Sequence, residues 1–167
     1  MAQSLSLRLI LMTLVLGAWA LSGCSEDKTT EPVPTAPPVP VGPNASLTHG
    51  VSFGKCDGPY CVTVSILRDS GGEFVNHGWT DEHPEERTPI SVDDAQWARI
   101  WSVVDIDVLS AMDEVYGCPD CFDGGKEWIL VDNDLGFSKL IEFEAHKAGP
   151  AELDELIAAF RDIYHSP

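Results

Sequence analysis

Positive charge is what this chain has least of: 10 Lys and Arg stand against 27 Asp and Glu, a formal balance of −17. A surface of that sign repels phosphate backbones and anionic lipid head groups, which excludes nucleic acid and an electrostatic hold on a membrane surface. The acid is spread along the chain rather than run together, the pattern of a solvated surface and not of an acidic tail. Catalytic signatures are missing too. There is no nucleophile elbow, no phosphate-binding loop and no His-Glu-x-x-His, so no residue is assigned as catalytic and no cofactor is expected. Long apolar runs are also absent. The longest, residues 9–20, is about a dozen residues where a membrane span needs about 20.

That run has one cation ahead of it, Arg8, and ends at Leu21-Ser22-Gly23-Cys24. A short apolar stretch of this kind reads as the core of a signal peptide, excluded from the fold. Leu21-Ser22-Gly23-Cys24 resembles the lipobox of bacterial lipoproteins, a resemblance that implies cleavage before Cys24 and a diacylglycerol, usually with a further acyl chain, on that residue. Its partner would be the lipid bilayer, reached through acylated Cys24. Ser25 stands where an Asp would look like an inner-membrane retention signal, so the outer membrane of the cell envelope is the expected location. Six prolines between Pro32 and Pro43 break any helix or central strand, and the segment reads as a semi-extended spacer. The expected organisation is a signal peptide over residues 1–23, a lipidated Cys and Pro-rich linker over 24–45, and one globular domain over 46–167.

Within the domain, Leu47, His49, Val51 and Phe53 alternate with smaller residues in the period of a half-buried strand. Val62, Val64 and Ile66 form a second strand, and Glu73 to Trp79 a third that pairs back on it across Asp69-Ser70-Gly71-Gly72. Thr80 to Pro89 reads as a charged loop. Ser91, with Asp94 in a variant capping box, opens a helix whose face is Trp97, Ile100, Trp101, Val104 and Val108, and a short helical piece follows near Val108 to Met112. Trp128 to Asp132 and Phe137 to Glu144 form a hairpin across Asn133-Asp134-Leu135-Gly136. Pro150 then opens a last helix with Leu153, Leu156, Ile157 and Phe160 on one face. The expected fold class is α+β: an antiparallel sheet of about five strands with two amphipathic helices on one face.

Four cysteines remain: Cys56 and Cys61, with Cys118 and Cys121. In an exported chain an even count implies disulfides. Three pairings are open. The Gly58-Pro59 turn folds Cys56 back on Cys61, and a ring closed by Cys118 and Cys121 is feasible though tight, so local pairing is the mild preference over cross-pairing. Two other chemistries use the same residues. Cys118-Pro119-Asp120-Cys121 has dithiol redox spacing, but Asp120 and Asp123 disfavour a thiolate there. It also looks like half of a zinc knuckle that Cys56 and Cys61 would complete, against an oxidising compartment. No metal ligand is therefore assigned. Asp132 to Gly136 begins like a calcium loop, but its Gly falls one position early and the chelating Glu is misplaced.

The loop Phe53 to Thr63 with its two Cys, Gly117-Cys118-Pro119-Asp120-Cys121 with Gly124-Gly125 and Trp128, and the closing Pro150-x-x-Leu153-x-x-Leu156 helix together resemble a group of small bacterial envelope lipoproteins. The likeness spans about Val51 to Arg161 and implies no activity. The expected function is a non-catalytic binding or structural module acting on an envelope protein, with a hydrolase inhibitor as one concrete form. A thiol-redox or zinc-binding periplasmic protein using the four domain Cys is the alternative. Lys55 to Tyr60 and Cys118 to Lys126 would form the contact surface.

Overall fold

The computed structural model describes residues 39–164. The expected signal peptide, Cys24 and most of the Pro-rich linker lie outside the described residues. Seven strands form one sheet: β1 (Ser46–Ser52), β2 (Val62–Arg68), β3 (Gly71–His77), β4 (Glu86–Ile90), β5 (Val115–Tyr116), β6 (Lys126–Asp132) and β7 (Ser138–Glu144). Their order is β4-β3-β2-β1-β6-β7-β5, antiparallel throughout except for β5, which runs parallel to β7. β1 is the middle strand, with Leu47 opposite Leu67 on one side and Val131 on the other. The two-residue strand period carries Leu47, Leu67, Ile129, Val131, Ile141 and Phe143 to one face, where all six are buried.

Three helices cover that face: α1 (Asp94–Ser102), α2 (Ile106–Ala111) and α3 (Asp154–Tyr164). Trp97, Ile100 and Trp101 of α1, Leu109 of α2, and Leu156, Ile157 and Phe160 of α3 join the strand residues in one buried cluster. Trp97 and Trp101 meet edge to face at 5.6 Å, the arrangement the ring quadrupoles favour. An exposed Arg99–Asp162 ion pair of 2.6 Å links α1 to α3. At such exposure it adds less than about 1 kcal/mol, so buried apolar area holds the helices in place.

The fold is α+β, with seven strands instead of five and a third helix. β4 was hidden by composition: Glu86, Arg87 and Pro89 look like loop, yet an edge strand tolerates all three because one of its sides needs no partner. Arg87 ties β4 to β3 through Glu73 at 2.5 Å. β5 has two residues, too few for any period. The first helix is capped at Asp93 rather than Ser91. Asp93 accepts the Gln96 N–H at 2.8 Å while the Gln96 side chain accepts the Asp93 N–H at 3.0 Å, a complete capping box. It stops at Ser102 because Asp105 starts α2 by accepting the N–H groups of Asp107 and Val108. Val108 consequently leaves the Trp face and is 39% exposed.

On the sheet face away from the helices, Gly50 on β1 lies directly opposite Trp128 on β6, and the indole covers it. A Cβ at Gly50 would overlap the ring. Lys126 Nζ sits 5.6 Å from the centre of the Trp128 ring and pairs with Glu142 at 2.7 Å. Gly50→Ala is expected to lift the indole and cost about 1–3 kcal/mol, the usual penalty for overpacking. Urea unfolding measures it, and an unchanged midpoint would show that the ring is not seated there.

Candidate binding surface

The antiparallel order brings four chain reversals to one end of the sheet: residues 53–61, 78–85, 117–125 and 145–149. Cys56 is bonded to Cys61 and Cys118 to Cys121, so each disulfide closes its own reversal, with Cα separations of 5.3 and 5.4 Å. All four sulfurs are in S–S bonds. The reversals are also tied to one another. Trp79 Nε1 donates to the Phe53 carbonyl at 2.6 Å, Lys55 Nζ pairs with Asp123 Oδ2 at 2.6 Å, and the Phe53 ring stacks on His146 at 4.9 Å. Gly125 makes this approach possible: its φ is +83°, and a Cβ there would press within 2.5 Å of the Ser52 carbonyl and 2.6 Å of the Phe53 ring.

Glu144 anchors the second Cys loop from the end of β7. Its Oε1 accepts the Cys118 N–H at 2.8 Å, and its other oxygen pairs with Lys147. The Lys147 hydrogen bond first, and the Cys118 N–H second, hold the Glu144 carboxyl below its ordinary pKa. The carboxylate thus stays charged where the loop needs an acceptor.

At the tip of this end stand three aromatic side chains in water. Tyr60 is 63% exposed, Trp79 53%, and Phe122 fully exposed at 101%. Phe122 is also held at φ +57°, between Asp120 at +62° and Asp123 at +59°. Left-handed backbone costs about 1–2 kcal/mol at a residue with a Cβ, and a bulky residue there is rare. Nothing inside the domain gains from that phenyl ring, because it touches solvent on all sides.

The other candidates fall elsewhere. His49, on the helix-covered face, is hydrogen-bonded through Nε2 to Glu127 at 2.7 Å and lies 5.5 Å from the Phe160 ring. His77 Nδ1 donates to the Gly78 carbonyl at 2.9 Å. In the Asp132 to Gly136 turn, Asn133 Oδ1 accepts the N–H groups of Leu135 and Phe137, and Asp132 accepts that of Asp134. Those oxygens close the hairpin. Among the described residues no group of three or more His, Cys, Asp or Glu is placed to hold a metal ion. The expectation that the chain has no elbow sequence needs one correction: Gly50-Val51-Ser52-Phe53-Gly54 matches Gly-x-Ser-x-Gly, but an elbow turns from strand into helix. Ser52 ends β1 buried at 4% exposure, with a disulfide loop after it.

No protein-family model matches the chain, and no curated protein matches it.

Proposed function

We propose that this protein is a bacterial lipoprotein, anchored through Cys24 in the outer membrane. Its α+β domain is a non-catalytic module that binds an envelope protein through the disulfide-closed end of the sheet. The observation that carries the binding reading is Phe122, fully exposed at a backbone conformation that costs free energy and tethered by the Cys118–Cys121 ring. Tyr60 and Trp79 extend the apolar tip, and interface anchors are drawn disproportionately from aromatic residues. Asp123 is paired with Lys55, and Asp57 and Asp120 place further negative charge beside the tip, which steers a partner carrying the opposite sign. Insertion of one rigid, disulfide-held loop into a cleft is how this surface would inhibit a hydrolase.

A photoreactive phenylalanine analogue placed at position 122 in the full chain, expressed in its own cells, tests this. The expected result is a discrete crosslinked adduct from position 122, another from position 79, and none from position 108 on α2. An adduct pattern equal at all three positions, or none at 122 and 79, would remove the loop end from consideration as the contact surface.

A further inference from the structure

We infer that a cavity between α3 and the turn after β7 is a binding site for a zwitterion of dipeptide size, separate from the aromatic tip. The cavity is about 310 Å3 and is lined by Glu127, Asp154, Lys147 and Arg161, with Phe143 and Ile157 as its apolar wall. That volume lies at the lower end of small-molecule sites, about 300–1,000 Å3. The chain owns 10 cations in all, and two of them line this one cavity. The larger cleft beside Trp101, about 670 Å3, is lined by Asp105, Asp107 and Glu155 and by no cation. Charges of both signs line the smaller cavity, which a ligand carrying both signs matches.

Two of these four charges are not used up internally. Lys147 is engaged by Glu144, and Glu127 gives one oxygen to His49. Asp154 and Arg161 have no ion-pair or hydrogen-bond partner among the described residues for their side chains. They stand seven residues apart on α3, about 10 Å along the helix axis. A single amino acid separates its charges by far less. Two extended residues span about 7 Å, which leaves about 3 Å of that rise to be divided between the contacts at the two ends. The ligand's ammonium would meet the Asp154 carboxylate, and its carboxylate the planar fork of the Arg161 guanidinium. The half-buried His49 behind Glu127 is a positioning residue: its 2.7 Å hydrogen bond fixes the carboxylate that faces the cavity.

Titration calorimetry on the full chain in detergent, with alanyl-leucine and a panel of dipeptides bearing small or branched side chains, tests the site. Each dipeptide is compared with its N-acetyl and C-amide forms. The free dipeptide should bind, and blocking either end should weaken it about tenfold or more, the worth of a charge-assisted hydrogen bond. Arg161→Gln should weaken the free dipeptide to the level of its amide and leave the amide unchanged. Asp154→Asn should do the same with respect to the N-acetyl form. Both positions are exposed, and circular dichroism checks that the variants fold. Absence of binding for the whole panel at about 5 mM, or equal binding of free and blocked forms, would overturn the site.

Discussion

Replacing Cys24 by Ser is expected to move the protein from the membrane pellet almost completely into the soluble envelope fraction. A signal peptide cut before Cys24 leaves that residue to carry the acyl chains, and each buried methylene contributes about 0.8 kcal/mol. One acyl chain gives reversible attachment, and two or three give a hold that does not measurably dissociate. The domain itself supplies little to replace it. Its surface is acidic, and anionic head groups repel it. Fractionation of cells with a carbonate wash measures the distribution. Serine-substituted protein that stays in the washed pellet would refute anchoring through Cys24.

The second large effect is on stability. Phe160→Ala is expected to cost about 3–5 kcal/mol, against a total of about 5–15 for a domain of this size. Phe160 has no exposed area and sits where α3 crosses the sheet, against the His49 ring. Its removal opens a cavity between layers that the sheet, paired on both sides of β1, cannot collapse to fill. Phe122 is the control of identical chemistry. Phe122→Gly should leave the denaturation midpoint unchanged or raise it slightly, since the ring buries nothing and glycine adopts φ +57° without penalty. Denaturant unfolding of the two variants side by side reads both outcomes. A loss at position 122 comparable to that at 160 would mean that the Phe122 ring supports the fold.

Much of the core was legible because periodicity is a local signal. The alternation around Leu47, the three- and four-residue spacing of Trp97, Ile100 and Trp101, and the Leu153 to Phe160 face all mark buried surfaces in the structure. On β2 the alternation marked a strand but not its core face: Ser65 and Leu67 are the buried residues opposite His49 and Leu47, while Val64 and Ile66 are half-buried on the other face. Strand β4 was not legible, because an edge strand needs neither β-branched residues nor freedom from proline. Helix α2 was marked as a short piece near Val108 to Met112, two residues late and with Val108 also placed on the α1 face, since its start depends on a cap at Asp105 that only three-dimensional geometry distinguishes from an ordinary surface Asp. The Cys loops stood out from composition, and their joint placement at one end of the sheet follows from strand order, which no window of sequence contains. Phe122 was visible as a residue in a loop. Its positive φ and complete exposure depend on how the ring between Cys118 and Cys121 closes, and its neighbours give no cue to that. The cavity beside α3 was hidden for the same reason: Glu127 and Arg161 are far apart in the chain and meet only across the sheet and helix layers.

The intact mass of the purified protein, native and denatured, with and without alkylation of thiols, tests the account of an anchored and disulfide-stapled binding module most directly. The account predicts a chain that begins at Cys24 and carries acyl groups. Its mass should be lower by the hydrogens of two disulfides, unchanged by alkylation until a reductant is added, and the same in native and denatured form. A chain with alkylatable thiols, or a native mass heavier by one zinc ion, would contradict it and make the two Cys loops a reactive centre instead of a scaffold.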